Sequence, residues 1–394
     1  MNIHSSKIEC VDEPLVLGTD PIPAKYYYDA DWYELERKAV WMRSWLNVGH
    51  VCELPEPGSF IRRELEFAHA SVLIMRGKDG EIRAFHNTCT HRGTQLTDAA
   101  CGKQNTFSCP YHMWTFGTDG ALISAPDFER FYTTKEAQAL KPVPVDVCAG
   151  LIFLCFEPQQ PLREYLGSMA EKLEQVPLAR ATTYQEYHYD IDANWKLTYD
   201  NFQENYHLRF VHPRTAGAGG FGEGNQFGYP SHFSINGIHR TQTIWTHPAP
   251  EVPPAMSTMF MRGVPRLMAD GLMDLPFPRE YFALFPNLFL LCNPGQHFLH
   301  TVLPLGPEKS RGVIRLYWVG DDETASTRYF REASMQTARD VHSEDVDIIR
   351  AGQRGISSGA IEHIHFQEKE VLCRHLIEVV VEKVAEYQAE VGTG

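Results

Sequence analysis

The chain is predicted to have an α+β fold, in which an antiparallel β module lies between an N-terminal helix and a domain of antiparallel sheet and helices. Three observations predict this fold. Residues 44–157 consist of short β-branched or aromatic runs interrupted by Gly, Pro, Asp and Asn. Residues 185–320 mix strand-like runs such as "GVIRLYWVG" with one helical stretch, and the chain beyond Ala325 is mostly helical. This order of elements differs from the regular strand–helix alternation of a parallel α/β sheet.

The first elements follow from hydrophobic periodicity. In "DADWYELERKAVWMRSW" the large apolar residues have helical spacing, and we expect a helical segment within residues 1–43 that packs on the C-terminal domain. The β module then occupies residues 44–157. The C-terminal domain, residues 158–394, begins with "LREYLGSMAEKLEQV", for which we predict one helix, and a further helix is predicted around residues 194–210.

Composition excludes several classes of protein. The chain has 394 residues, of which 43% are hydrophobic and 22% charged, as is usual for a globular protein. A net charge of -14 argues against nucleic acid or an anionic membrane as partner, because phosphate binding needs a basic face. No apolar run approaches the roughly 18 residues of a membrane span. The start lacks a signal peptide and the nine cysteines contain no CxxC pair, so we expect free thiols in the cytoplasm.

Two short turns in the β module form the first metal candidate. "NTCTHRGTQL" contains Cys89 and His91, and "SCPYHMWTF" contains Cys109 and His112. Two thiolates and two imidazoles can close a four-ligand site, and a structural zinc site is the main alternative. Zinc sites usually contain CxxC turns, whereas here each turn has one Cys and one His. That arrangement is the one a Rieske [2Fe–2S] cluster requires, with both thiolates on one iron and both imidazoles on the other.

The stretch "DNFQENYHLRFVHP", residues 200–213, forms half of a second candidate. Its two histidines, His207 and His212, are five residues apart, which in an ideal helix turns the second about 140° from the first. Pro213 disfavours helical backbone at His212, so a break there is expected to turn both imidazoles towards one point. As an isolated pair, they would be better explained as two ordinary histidines. The helix before them is predicted to begin after Asn194 as cap and to bury Trp195, Thr198, Phe202 and Tyr206.

Two histidines can belong to a mononuclear non-haem iron site of the facial type, which needs a carboxylate as third ligand. The stretch "MQTARDVHSEDVDIIRAGQRGI" supplies Asp345 on an apolar helical face, where an acid is costly unless it is neutral, paired or metal-bound. A salt bridge is the alternative role for Asp345. Asp347 is predicted to point away and Glu344 to lie at the edge of the face. The other residues of this predicted face are Val341, Ile348, Ile349 and Gly352.

Three segments together resemble the Rieske non-haem iron oxygenases, large (α) subunit, over about residues 25 to 380. "CTHRG" followed by "CPYHMWTFGTDGAL" is similar to the cluster-binding motif of that family, with Met113 where glycine is common. "DNFQENYHLRFVHP" resembles the segment in which an acid precedes two ligand histidines, and "EDVDIIRAGQRG" resembles the segment with the aspartate ligand.

The resemblance implies cofactors and roles. It implies one Rieske [2Fe–2S] cluster and one mononuclear Fe(II) per chain, in a Rieske domain and a helix-grip (Bet v1-like) catalytic domain. Glu204 is then the acid that passes electrons from His112 of a neighbouring chain, and Asn201 is a pocket residue near the iron. The implied cluster ligands are Cys89, His91, Cys109 and His112, and the implied iron ligands are His207, His212 and Asp345.

The implied function is that of a terminal oxygenase, which uses O₂ and electrons from NAD(P)H delivered by a reductase, with or without a ferredoxin. A head-to-tail C3 homotrimer is expected, with or without a small β subunit. We expect an aromatic or cyclic hydrophobic substrate, because "MSTMFMRGVPRLM" and "YFALFPNLFLL" can line an apolar cavity. The alternative is oxidative N-demethylation of a quaternary or tertiary amine such as a betaine or carnitine, because glutamate at position 204 is familiar in that branch.

Two hypotheses from other classes make different predictions. A Rieske electron-transfer protein without catalytic iron would contain iron only in its cluster, and a zinc-stabilised binding protein would be colourless. The stretch "GAGGFG", residues 217–222, matches a dinucleotide-binding pattern but lacks the preceding strand and following helix that this function needs. We therefore predict a loop there.

Overall fold

The structure is a computed structural model that describes residues 17–213, 215, 221–245, 280–293, 296–320 and 324–392. The chain divides into two compact units, which we call the β unit, Trp41–Tyr165, and the sheet–helix unit, Met1–Val40 with Leu166–Gly394. The sequence placed the boundaries at residues 43/44 and 157/158. All the strand pairs in the described part of the chain are antiparallel, and helices accompany the largest sheet, which confirms the predicted α+β class.

The β unit is built from short strands in three small sheets. Its strand order is β10-β5-β4-β3-β6 in the first sheet, β11-β12-β2 in the second and β7-β8-β9 in the third. The β7–β8 hairpin holds residues 109–114 in its loop. The strands are β2 Leu46–His50, β3 Ser59–Leu65, β4 Ala70–Arg76, β5 Ile82–His86, β6 Cys101–Lys103, β7 Thr106–Ser108, β8 Thr115–Gly117, β9 Leu122–Ser124, β10 Pro142–Val143, β11 Val145–Cys148 and β12 Leu151–Leu154.

A seven-stranded antiparallel sheet forms the centre of the sheet–helix unit, in the order β13-β19-β18-β17-β16-β15-β14. Strands Ile22–Pro23 (β1) and His363–Ile364 (β20) pair separately. The strands of the large sheet are β13 Ala181–Ile191, β14 Phe233–Asn236, β15 His239–Thr243, β16 Glu280–Leu284, β17 Leu288–Asn293, β18 Gln296–Gly306 and β19 Lys309–Val319. The α-helices in the described part of the chain are α1 Ala30–Glu36, α2 Leu162–Leu166, α3 Ser168–Glu174, α4 Trp195–Asp200, α5 Leu208–Val211, α6 Ala325–Ser357 and α7 Val371–Gly392.

One predicted helix is divided in the structure. The stretch "LREYLGSMAEKLEQV" forms α2 and α3 rather than a single helix. The break lies at Gly167, whose φ of +54° is incompatible with a continuing right-handed helix. Among the described residues, no helix combines the length and the apolar character needed to cross a membrane.

The long helix α6 presents its buried face to the sheet. Met335 packs with Leu316 and Trp318 of β19, and Ile349 packs with Ile191 and Ala193. The predicted face was partly wrong, because Ile348 is 55% exposed. The residues of α6 that are buried are Arg331, Met335, His342, Asp345, Ile349, Gln353 and Ile356. Ile348 lies one residue, or about 100° of helical rotation, before the buried Ile349, and this rotation takes it off the covered face.

A buried ion pair ties the N-terminal helical segment to α4. Glu36 and Lys196 are both fully buried, with 2.6 Å between Oε1 and Nζ. The indole N–H groups of Trp32 and Trp195 also donate to the carboxylate of Glu36, at 2.5 and 2.8 Å. Because the carboxylate has several donors, its burial is compensated, and removing one partner of such a pair typically costs about 3–5 kcal/mol. The pair therefore fixes the start of α4.

Asp200, the last residue of α4, is buried beside Tyr27, whose hydroxyl donates to Oδ2 at 3.0 Å. Burial raises the pKa of Asp200 to about 7, although the Tyr27 hydrogen bond and the charges of Arg240 and Lys196 oppose the rise and Glu370 adds to it. When an acid has a higher pKa in the folded state than in the unfolded state, the protein loses stability as the pH rises from the unfolded-state pKa towards the folded-state pKa. Asp200 should therefore make folding less favourable between about pH 4 and 7.

We predict that Asp200→Asn removes this dependence. Between pH 5 and 7 the free energy of unfolding of the variant should rise relative to the wild type by up to about 1.4 kcal/mol per pH unit, and the difference should level off above pH 7. Urea unfolding at four pH values measures it. Asp190→Asn is the control, because Arg311 lowers the pKa of that exposed acid and moves its titration below this window. Parallel pH profiles for wild type and Asp200→Asn would contradict the prediction.

Candidate metal centres

The segment with the paired histidines begins at α4. The side chain of Asn194 caps this helix as predicted, accepting from the N–H of Lys196 at 3.0 Å. The helix ends at Asp200, however, so the prediction of a helix to residue 210 was wrong. The carboxylate of Glu204 accepts the backbone N–H groups of Tyr206 and His207, and these local bonds replace the helical ones. Tyr206, predicted to be buried, is consequently 46% exposed.

The two histidines lie at the two ends of the short helix α5. His207 precedes its first residue and His212 follows its last, with a φ of -113° that leaves the helical region. Pro213 comes next, which accounts for the end of the helix at this position. The two imidazole ring centroids are 5.2 Å apart. The helix ends at Asp200 rather than at about residue 210, nearly three turns earlier than expected, and this break allows both imidazoles to face the same region.

Asp345 of α6 meets both histidines. Its Oδ1 lies 2.8 Å from Nε2 of His212 and 3.8 Å from Nε2 of His207. All three donor atoms lie within 4.8 Å of one another. Oδ1 of Asp345 is buried and accepts no hydrogen bond from the described residues. Donor atoms that converge without bonding to each other, in a set of two imidazoles and one carboxylate, fit a mononuclear iron.

Each of the two histidines also contacts a carboxylate other than that of Asp345. Glu204 Oε1 forms a hydrogen bond with Nδ1 of His207. On the other side, Oε2 of Glu344 lies 2.8 Å from Nδ1 of His212 and also accepts from the hydroxyl of Thr215 at 2.6 Å. Burial lowers the pKa of His212, but its contacts with Asp345 and Glu344 outweigh burial, and the pKa is raised overall.

An aromatic and imidazole layer, which sequence reasoning missed, extends from Asp345. His342, one turn before Asp345 on α6, has its ring centroid 3.8 Å from that of Tyr189. The Tyr189 hydroxyl lies 2.6 Å from Nε2 of His300, and His300 contacts Phe202 at 4.1 Å between centroids. Burial lowers the pKa of His342 to about 4 and that of His300 well below its usual value. Both imidazoles are therefore neutral, and the layer is uncharged.

Asn201, predicted to lie near the iron, is the C-cap residue of α4, and its N–H donates to the carbonyl of Tyr199. Its side chain makes no hydrogen bond within the described part of the chain.

The helical spacing from Asp345 could have identified His342, but His300 is an isolated residue in a strand and has no comparable signature. The stretches "GAGGFG", apart from its last two residues, and "MSTMFMRGVPRLM" lie outside the described residues.

The β unit presents Cys89, His91, Cys109 and His112 on two loops with the same backbone pattern. In each loop the cysteine N–H donates to the carbonyl five residues on, at 2.8 Å, and the cysteine carbonyl accepts from the N–H four residues on. Both cysteines are buried, and the imidazole centroids of His91 and His112 are 4.6 Å apart. The loops thus bring all four predicted ligands into one region.

The chemistry of these side chains fits a cluster with both thiolates on one side. Burial raises the pKa of the Cys89 thiol, the neighbouring Cys109 adds to the rise, and the N–H groups of His91 and Arg92 oppose it. Two adjacent buried thiols become thiolates readily only when a metal compensates the charge. Nδ1 of His91 is buried without a hydrogen-bond partner among the described residues, while its ring stacks on Trp114 at 4.9 Å.

Two family profiles match the chain. The profile described as "Ring hydroxylating alpha subunit (catalytic domain)" matches residues 178–386, and that described as "Rieske [2Fe-2S] domain" matches residues 44–144. The glycine betaine monooxygenase oxygenase subunit of Chromohalobacter salexigens is 27% identical over 372 residues, which cover 88% of this chain and 81% of that protein.

Two solved structures share the fold. The quaternary ammonium Rieske monooxygenase CntA, in complex with L-carnitine, superposes with a TM-score of 0.75 at 22% identity, covering 94% of this chain and 98% of that one. Naphthalene 1,2-dioxygenase from Rhodococcus sp., bound to indole, superposes with a TM-score of 0.72 at 22% identity, covering 92% and 94%. At these identities the likeness establishes the fold, and it confirms the predicted pairing of a Rieske domain with a sheet-and-helix catalytic domain.

The position where Met113 replaces the glycine expected from the resemblance yields a prediction. Met113 has a φ of +59°, and Gly93, at the equivalent place in the other loop, has a φ of +82°. A non-glycine residue in the left-handed conformation destabilises the fold by about 1–2 kcal/mol. Replacing it with glycine removes this strain, but the greater flexibility of glycine in the unfolded chain cancels roughly 0.5–1 kcal/mol of the gain. We expect Met113→Gly to stabilise the β unit by up to about 1 kcal/mol.

Gly93→Ala should have the opposite effect. A methyl group at Gly93 would meet no atom within 4 Å, so only the backbone conformation opposes it. The temperature at which the cluster absorbance is lost should rise in Met113→Gly and fall in Gly93→Ala. A shift of both variants in the same direction would contradict this explanation.

Proposed function

We propose the metal ligands of this chain, which belongs to the ring-hydroxylating α-subunit family. The chain is a terminal Rieske oxygenase with a [2Fe–2S] cluster and a mononuclear iron. The iron ligands are His207, His212 and Asp345. The cluster ligands are the two cysteines and two histidines of the β-unit loops, Cys89, His91, Cys109 and His112. The observation that supports the iron site is the convergence of three donor atoms within 4.8 Å, one of which is a buried carboxylate oxygen that accepts no hydrogen bond from the described residues.

The two metal groups, when bound, supply electron transfer and the activation of O₂ against a C–H bond. The protein contributes position and charge. A set of two histidines and one carboxylate leaves coordination positions open on one side. Glu204 accepts the Nδ1 proton of His207 in a hydrogen bond, so the lone pair of Nε2 is available to bind a metal. The electrons come from a separate reductase, as for any oxygenase component of this family.

We infer a first substrate candidate from the wall beside Asp345, an aromatic or cyclic hydrophobic compound. Phe202 contacts Phe289 at 5.8 Å and Phe298 at 6.2 Å between centroids, and its ring also covers His300. These apolar faces, next to uncharged imidazoles, favour a flat or cyclic apolar molecule. Hydroxylation would then occur on the ring.

A quaternary or tertiary amine is the second candidate. The rings of Tyr187 and Tyr189 are 5.9 Å apart and nearly parallel, and aromatic faces of this kind bind ammonium groups. Glu204 in place of aspartate and the similarity to the glycine betaine enzyme favour this candidate. Hydroxylation of an N-methyl carbon consumes O₂, two electrons and two protons, gives water and an unstable hemiaminal, and releases formaldehyde with the demethylated amine.

The electron route supports a proposal about assembly. Exposed apolar side chains flank each end of the proposed route: Tyr111 and Met113 are 54% and 58% exposed beside His112, and Tyr206 and Phe210 are 46% and 65% exposed near Glu204. We propose that the first pair docks against the second pair of another copy of this chain. A head-to-tail contact of this kind closes into a C3 homotrimer.

We predict that the iron content reports the ligand set. The wild type should contain about three irons for two acid-labile sulfides, and His207→Ala about two for two, because only the mononuclear site is affected. Cys109→Ala should lose the sulfide. If His207→Ala retained the third iron, the proposed ligand set would be wrong.

We predict that Glu204→Gln leaves both metals bound and slows oxidation of the reduced cluster in the presence of substrate and O₂ by roughly 10–100-fold or more. Glu204→Asp should restore part of the rate. An equal mixture of Glu204→Gln and Cys109→Ala chains, reassembled from monomers, tests the route between chains. About a quarter of its sites, half times half, should regain turnover in a head-to-tail trimer. A mixture as inactive as its parents would contradict transfer between copies.

The substrate candidates are separated by their products. With the reduced enzyme and O₂, N-trimethylated substrates should yield formaldehyde and the dimethyl product in equal amounts if the amine proposal holds. Naphthalene or indole should yield hydroxylated rings without formaldehyde if the first candidate holds. Cluster oxidation coupled to one class but not to the other decides between them.

A further inference from the structure

Glu344 occupies a position that the proposed ligand set does not explain. It directly precedes Asp345 on α6, yet its side chain turns to the opposite side of His212. Its Oε2 lies 2.8 Å from Nδ1 of His212, while Oδ1 of Asp345 lies 2.8 Å from Nε2 of the same ring. Two successive acids of one helix therefore face the two nitrogens of one imidazole.

Thr215 holds Glu344 in this position. The threonine hydroxyl donates to the same Oε2 at 2.6 Å, so the carboxylate oxygen receives two donors. The side chain of His212 is 1% exposed and that of Glu344 is 27% exposed. The pair is thus shielded from water on the histidine side and open to water on the acid side.

We propose that Glu344 is a positioning residue for the iron site, a role that rests on the proposed function of His212 as a ligand. A carboxylate at Nδ1 requires that nitrogen to carry the proton, and the lone pair of the neutral ring is then on Nε2. Nε2 is the nitrogen that faces Asp345. Glu344 therefore fixes both the tautomer and the ring orientation that a metal ion at this place requires.

The role of Glu344 differs from that of Glu204, although both acids bond to Nδ1 of a ligand histidine. Glu204 also accepts backbone N–H groups in its own turn and lies on the proposed route of electrons. Glu344 projects from α6 and contacts Thr215 instead. We therefore expect loss of Glu344 to weaken iron binding and to leave electron transfer intact in loaded enzyme, whereas Glu204→Gln should slow electron transfer in loaded enzyme.

The test measures the dissociation constant of Fe(II) in the full-length protein by competition with a chromogenic chelator, with sulfide content as a check on the cluster. Glu344→Ala should raise this constant by about 10–100-fold. Glu344→Gln should raise it less, because the amide oxygen still accepts the Nδ1 proton without the charge. Thr215→Val should have a smaller effect in the same direction, because Glu344 would lose one of its two donors.

Asp347→Asn is the matched control, since it removes the same charge from the same helix at an exposed position. It should bind iron as the wild type does. Unfolding of the iron-free proteins checks that Glu344→Ala and Glu344→Gln remain folded, and an equally stable Glu344→Gln keeps the test valid if Glu344→Ala does not fold. At saturating Fe(II), cluster oxidation in Glu344→Gln should proceed within about threefold of the wild-type rate.

The outcomes separate this inference from the proposed function. Wild-type iron affinity in both Glu344 variants would overturn the inference, and the proposed ligands would stand if His212→Ala still lost the iron. Retention of iron by His212→Ala would instead overturn the ligand set itself. If Asp347→Asn weakened iron affinity as much as Glu344→Gln, the loss of one negative charge anywhere on α6 would explain the result. That outcome would also overturn the inference.

Discussion

The proposed iron site depends on one geometric constraint, which is that donor atoms from two distant segments must face a single point. Asp345 comes from the straight helix α6, whose position is fixed by packing on the sheet. The histidines must therefore adapt to it. They do so because the backbone leaves the helix after Asp200, passes through the turn that Glu204 stabilises, and forms only the short helix α5 between His207 and His212.

Such a turn needs a rigid support, and buried polar contacts provide it. The ion pair of Glu36 and Lys196 holds the start of α4, and the hydrogen bond between Tyr27 and Asp200 holds its end. Both contacts involve the N-terminal segment, which explains why residues far from the site in sequence determine its geometry. The cost of burying Glu36 is offset because its carboxylate accepts from Lys196 and from the indole N–H groups of Trp32 and Trp195.

Around the donor set, charge and neutrality are separated. The acids Glu204 and Glu344 lie behind the two histidines and favour the proton on Nδ1 of each ring. The layer of Tyr189, His300 and His342 stays neutral, because burial lowers the pKa of both imidazoles. The donor set is therefore in contact with two further acids, while the neighbouring layer of rings carries no charge.

The sequence by itself determined the α+β class, the Asn194 cap and the residue types of both candidate sites. These features depend on local spacing and on donor chemistry, which can be recognised without coordinates. Only the tertiary structure decided where α4 ends, that Ile348 is exposed while His342 is buried, and that Glu344 contacts His212. Those outcomes depend on competition between helical hydrogen bonds and side-chain acceptors, and on which face of α6 the sheet covers. Glu204 settles the competition after the end of α4 through bonds within its own turn. The contacts of α6 join residues distant in the chain, and hydrophobic periodicity along one segment carries no information about either.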